Sequence, residues 1–204
     1  MGYLMFDRYI QSIPTFTEEE CKLIINECTS QPEKSWNRST VYTEDGYSGR
    51  IDPSRTNDHI AIDDTFSIYD MVIERLNAAY ELYPRYLLAA IPKEELRMPM
   101  PMADNSKSAM EIPGLLRYEP GQRYDWHHDA CFDVNAESHD RVISVVTYLN
   151  NDFKGGKTEF VDCERKPEVG HSLMFPSNWV FAHRATPVKK GTKYVIVTWY
   201  RIWC

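Results

Sequence analysis

The sequence predicts a mainly β protein, α+β overall, with a jelly-roll-like β core and flanking helices from its N-terminal part. Beyond Pro113 the chain falls into short β-rich runs: Leu115–Tyr118, Val142–Leu149, Thr158–Val161, Ser172–Phe175, Trp179–Ala182 and Tyr194–Ile202. Turns at Gly121, Gly155-Gly156, Gly170 and Gly191 separate them and leave no room for the crossover helices of βαβ units. Before that point, apolar residues recur at helical spacing in two segments. The length of 204 residues fits one domain. Residues 1–112 are expected to form helices, loops and supporting strands, and residues 113–204 the β core that carries the chemistry.

The first helix follows Ile13-Pro14-Thr15-Phe16. Thr17 can cap it, and Glu20 three residues on completes a capping box. Cys21, Leu23, Ile24, Ile25 and Cys28 supply its apolar face. Residues 29–58 are polar, with Gly46, Gly49 and Pro53, and predict loops with short strands. A longer helix is expected over residues 65–90, burying Ile68, Met71, Val72, Leu76, Ala79, Tyr80 and Tyr83. Pro84 should kink or restart it. The prolines of Arg97–Met102 exclude a regular helix or central strand, and the run to Ala109 predicts an exposed loop.

Composition narrows the function classes. Hydrophobic residues make up 43% and aromatics 13%, which excludes a disordered or fibrous chain. The net charge of −7 argues against non-specific binding to nucleic acid or a membrane surface. The charge is uneven, because residues 141–204 hold ten basic and five acidic residues, a balance suited to a small anion. Five cysteines without a CxxC predict reduced thiols and a cytoplasmic setting. No apolar run approaches the ~18 residues of a membrane helix, and Met1–Ser12 lacks the basic and apolar regions of a secretory signal.

The chemistry concentrates in Tyr124-Asp125-Trp126-His127-His128-Asp129. On a strand, residues i and i+2 share a side, so His127 and Asp129 can share a site while His128 points away. A second histidine would complete the 2-His-1-carboxylate set that leaves open positions on a non-haem iron. His183, after the apolar run Val180-Phe181-Ala182, is the candidate. Zinc uses the same donors, and a His-rich surface turn would look alike, so spacing alone leaves the metal open. Lys193 leads into the apolar strand Tyr194–Val197 and calls for an anionic partner. Trp199 and Arg201 share its parity. His59, His139 and His171 lack partners at ligand spacing and read as surface or turn residues.

Several motifs in register resemble the prolyl 4-hydroxylase branch of the Fe(II)/2-oxoglutarate dioxygenases. They are Leu116–Tyr124 leading into His127-His128-Asp129; Tyr148-Leu149-Asn150 before Gly155-Gly156-Lys157-Thr158-Glu159-Phe160; Gly170–Phe175; and His183 through Lys193 to Thr198-Trp199-Tyr200-Arg201. The resemblance implies a double-stranded β-helix (jelly-roll, cupin-like) core. It implies Fe(II) on His127, Asp129 and His183, and 2-oxoglutarate with its distal carboxylate on Lys193, Tyr118 and Thr158. Tyr124, Arg141 and Trp199 match positions near the substrate or the cosubstrate, and the Arg55-Thr56 segment resembles a loop that approaches substrate. The implied reaction consumes O2, releases succinate and CO2, and hydroxylates a proline in a peptide or protein, with ascorbate as an accessory reductant. The same chemistry on another side chain or small molecule, a zinc hydrolase and a non-catalytic β-barrel module are the alternatives. The Gly46–Thr56 and Met98–Ala109 loops are expected to set substrate choice.

Overall fold

The structure is a computed structural model that describes residues 7–42, 49–91, 108–130 and 139–203. Two antiparallel sheets pack face to face. The larger has the order β1 (Gln11–Pro14), β13 (His171–Pro176), β9 (His139–Tyr148), β16 (Lys193–Trp203), β7 (Gly114–Tyr118), β5 (Asp58–Ala61) and β2 (Asn37–Arg38), with β6 (Ser108–Met110) added on β16. The smaller runs β12 (Glu164–Arg165), β11 (Thr158–Phe160), β14 (His183–Ala185), β8 (Tyr124–His127). Two ribbons complete the strands, β3 (Val41–Tyr42) with β4 (Gly49–Arg50) and β10 (Lys154–Gly155) with β15 (Val188–Lys190).

Alternation along each strand divides the apolar residues between two cores. Ile143, Met174, Ile196 and Tyr200 face the helices, while Tyr148, Leu173, Phe175 and Val195 face the smaller sheet and meet Phe160 and Phe181. α1 (Glu18–Thr29) starts where the capping box predicts it. Thr17 Oγ1 accepts the Glu20 N–H at 3.2 Å, and the Glu20 carboxylate accepts the Thr17 N–H at 2.8 Å. Cys21, Ile24 and Cys28 are buried on its core side. Leu23 is 51% exposed, because it stands off the stripe that the i, i+3, i+7 spacing of those three defines.

α2 (Tyr69–Ala90) begins later than expected, because Asp63 accepts hydrogen bonds from the Thr65 N–H and hydroxyl and holds a turn before it. Pro84 neither ends nor restarts α2. The turns on either side of it are held by burial of Tyr80, Tyr83 and Leu87, and the Tyr83 hydroxyl donates to the Tyr9 carbonyl at 2.7 Å.

Three further expectations need correction. Trp179–Ala182 is not a strand, because Trp179–Phe181 form a 3-10 turn capped by Asn178, whose side chain accepts the Val180 N–H. The loop expected up to Ala109 falls mostly outside the described residues, and its end pairs with the last strand as β6. His59 lies on β5, half-buried, with its Nδ1 3.3 Å from the Ser39 hydroxyl, and is no turn residue.

Candidate active site

β8 and β14 pair so that His127 and His183 stand directly opposite each other. Each ring is fixed by a backbone carbonyl: His127 Nδ1 lies 2.8 Å from the Asp125 oxygen, and His183 Nδ1 lies 3.1 Å from the Phe181 oxygen. A carbonyl only accepts, so both Nδ1 atoms carry a proton, and both Nε2 atoms are left to face Asp129. Ring contacts hold them further. Tyr124 stacks on His127 with centroids 3.5 Å apart, and Phe175 meets His183 edge-on at 4.9 Å.

Asp129 closes the group. Its Oδ1 is 3.5 Å from His127 Nε2 and its Oδ2 is 3.6 Å from His183 Nε2. The three donor atoms all lie within 4.8 Å of one another. Asp129 follows β8, and its position is set from the larger sheet. The Ser177 carbonyl accepts the N–H groups of Asp129 (3.1 Å) and Ala130 (2.8 Å). The Ser144 hydroxyl on β9 donates to Asp129 Oδ2 at 2.7 Å and lies 2.9 Å from the Ser177 hydroxyl.

The electrostatics prepare these groups as ligands. Burial, reinforced by His183, pushes His127 down to about 3, so its ring is neutral near pH 7. Burial also opposes charge on Asp129, but His183, His127 and hydrogen bonds from Ser144 and Trp199 outweigh it and bring the carboxyl to about 2. Two imidazoles and one carboxylate with an open side are the donor set of a non-haem Fe(II) centre, and the residues fit that ion.

Lys193 lies in the same cavity as the triad. It opens β16, is 1% exposed, and donates from Nζ to the Gly156 carbonyl at 2.8 Å. The rings of Tyr118 and Tyr148 flank the ammonium at 5.0 and 5.1 Å. No carboxylate pairs with it among the described residues, and burial lowers its pKa to about 7. The Tyr148 and Thr158 hydroxyls, 2.5 Å apart, are buried with it. Gly156 permits this approach: its φ is +60°, and a Cβ there would come within 3.1 Å of Lys193 Cδ. A buried cation without an anion, in one cavity with a metal-ligand triad, fits a dicarboxylate that bridges the two.

The structure therefore brings together His127, Asp129, His183, Lys193, Tyr118, Thr158, Tyr124 and Trp199. Arg141 does not line their cavity but adjoins it through Trp199. It is bidentate on Glu111 (2.6 and 2.7 Å), lies 3.7 Å over the Trp199 ring and lines a second, outer cavity. Arg201 joins the same carboxylate, its Nε donating to Glu111 Oε1 at 2.5 Å, and does not line the triad's cavity. Sequence reasoning gave no role to Ser144, Ser177 or Tyr148. A serine inside the apolar run Val142–Leu149 was the one available sign of Ser144. Ser177 shows its role only through the fold.

Residues 113–201 match the family model of the 2OG-Fe(II) oxygenase superfamily. A protein of Acanthamoeba polyphaga mimivirus that carries a provisional prolyl 4-hydroxylase name is 33% identical over 104 residues, which is 43% of this chain and 43% of that one. Rat procollagen-lysine,2-oxoglutarate 5-dioxygenase 1 is 28% identical over 99 residues, 46% of this chain and 12% of that protein. The chain thus spans less than half the length of these relatives. The fold extends further: the crystal structure of the viral collagen prolyl hydroxylase from Paramecium Bursaria Chlorella virus-1, in complex with 2OG, aligns at a TM-score of 0.66. That alignment has 20% identity and covers 97% of this chain and 99% of that one.

Proposed function

Starting from the match of residues 113–201 to the family model of the 2OG-Fe(II) oxygenase superfamily, we propose that the chain hydroxylates a prolyl residue in a peptide or protein, with Fe(II), 2-oxoglutarate and O2. The observation that carries this reading is the pairing of one buried lysine, without a carboxylate partner, with the His127–Asp129–His183 triad in a single cavity.

His127, Asp129 and His183 would hold the iron. Bound Fe(II) supplies the activation of O2 and the oxidative decarboxylation of 2-oxoglutarate to succinate and CO2. Lys193 would receive the distal carboxylate, with the Tyr118 and Thr158 hydroxyls as further donors, so that the keto-acid end points at the triad. Leu116, Val195 and Val197 make that cavity apolar and exclude water from it. Tyr124 fixes the His127 ring, and Trp199 bonds Asp129 from the substrate side. A zinc hydrolase would leave Lys193 without a task, and a decayed barrel would have no reason to keep a buried lysine beside a complete triad. A cytoplasmic setting belongs to the proposal, supported by the buried free thiols of Cys21 and Cys28. No described helix is long and apolar enough to cross a membrane.

The test is mass spectrometry of proline-containing peptides after incubation with Fe(II), 2-oxoglutarate and air. One added oxygen on proline, matched by succinate and lost in His127→Ala, is expected. Succinate with the oxygen on lysine would move the substrate, and no succinate at all would overturn the oxygenase reading.

A further inference from the structure

The outer cavity, of about 280 Å3, shares Arg55, Leu116, Val197 and Trp199 with the inner one, whereas Lys193 lines the inner one only. Arg55 stands in the shared wall. Its Nε donates to Asn57 Oδ1 at 3.3 Å and its NH1 to the Thr40 carbonyl at 2.8 Å, both neutral acceptors. Its guanidinium carbon lies 4.6 Å above the ring of Tyr124, the residue stacked on His127.

Other arginines of the same strands and turns are paired with carboxylates: Arg38 with Asp58, Arg117 with Glu33, Arg123 with Asp125 and Arg141 with Glu111. Among the described residues no carboxylate pairs with Arg55, in a chain whose net charge is −7. Burial and the neighbouring Arg55 lower the pKa of His59, which also lines the outer cavity. A guanidinium is always charged and presents a planar fork that matches a carboxylate. Neutral acceptors hold Nε and one N–H of NH1, the guanidinium also bonds the Tyr124 hydroxyl, and its side chain lines both cavities.

We propose that Arg55 binds a carboxylate of the substrate itself, seated in the outer cavity while the reacting residue occupies the inner one. The inference rests on the hydroxylase reading and names its substrate class: a peptide with an acidic group next to the reacting residue. That group is either a Glu or Asp side chain or the peptide's own terminal carboxylate.

Anaerobic calorimetric titrations of the protein loaded with Fe(II) and 2-oxoglutarate distinguish these sources. The probes are acetyl-Ala-Glu-Pro-Glu-Ala-amide, the same peptide with Gln for both Glu, and acetyl-Ala-Pro-Ala as free acid and as amide. One acidic probe should bind about tenfold more tightly than its neutral counterpart, the span of one charge-assisted hydrogen bond. Which pair shows the difference identifies the source. In Arg55→Gln the ratio should fall to near one, and Arg55→Lys should restore part of it. Equal binding of acidic and neutral probes, or a ratio that survives in Arg55→Gln, overturns the inference. So does a loss of 2-oxoglutarate affinity in Arg55→Gln, which would assign Arg55 to the cosubstrate. Acid preference without oxygen transfer to any probe would instead sink the prolyl reading alone.

Discussion

Along β16, Ile196 and Tyr200 face the helices, whereas Lys193, Val195, Val197 and Trp199 face the smaller sheet. The first side is completed by Val72, Leu76, Tyr80 and Tyr83 of α2, and Tyr80 stacks on Tyr200 with centroids 3.5 Å apart. The second side buries a lysine, a serine bonded to a carboxylate, and hydroxyls whose partners lie in the other sheet. Both sides are closed to water, but only the helix side is cheap to bury. An uncompensated buried charge costs several kcal/mol, so the inner face gives up stability that the helix face supplies. The strand alternation that builds a jelly roll thus separates folding from chemistry residue by residue.

Lys193→Met breaks this comparison most strongly. Loss of 2-oxoglutarate binding by at least about 100-fold is expected, together with a gain in unfolding free energy of about 1–3 kcal/mol. Ligand titration and denaturant unfolding on the same preparation check both, and a loss of stability would make Lys193 structural. On the opposite face, Leu76→Ala should cost about 2–5 kcal/mol and leave Fe(II) affinity of the folded protein unchanged. If Leu76→Ala moved the metal affinity, the two faces would not be separable.

Ser144→Ala sharpens the inner side. It removes the hydrogen bond that fixes Asp129 Oδ2, and Fe(II) affinity by chelator competition should fall about 10–100-fold. The pH dependence follows from the depressed pKa of Lys193. The charged lysine is the form that binds a carboxylate, and a bound anion raises its pKa. Affinity for 2-oxoglutarate should therefore be full below about pH 7 and fall as pH rises above it, by up to about tenfold per unit. Flat affinity from pH 6 to 9 would show that the lysine is charged without its ligand. The smallest effect belongs to the surface: Thr17→Ala should cost about 1 kcal/mol through the capping box and leave ligand binding untouched.

The same division explains what could be read from the sequence. Local patterns write themselves into the chain. The box Thr17–Glu20 placed α1, alternation placed Val142–Leu149 and Tyr194–Ile202, and the His127/Asp129 spacing pointed to the candidate site only together with the motifs in register around it. What depends on distant partners did not show. β1 is a strand because it pairs with β13, far along the chain, and Pro14 fits at its end on a sheet edge. Trp179–Phe181 resemble a strand in composition, yet Asn178 caps them into a turn, with Trp179 70% exposed. Arg141 and Arg201 were drawn to Glu111, a residue that no motif marks. Ser144 and Ser177 reach Asp129 only because the larger sheet carries them under the end of β8.

The central claim is that the His–Asp–His triad and Lys193 together hold Fe(II) and a 2-oxo dicarboxylate. Anaerobic addition of 2-oxoglutarate to the Fe(II)-loaded protein, followed by visible absorption, tests it directly. A weak charge-transfer band from the chelated 2-oxo acid is expected, absent in His183→Ala and requiring much more ligand in Lys193→Met. No band from the folded, iron-loaded protein, or one that persists unchanged in His183→Ala, would contradict the account.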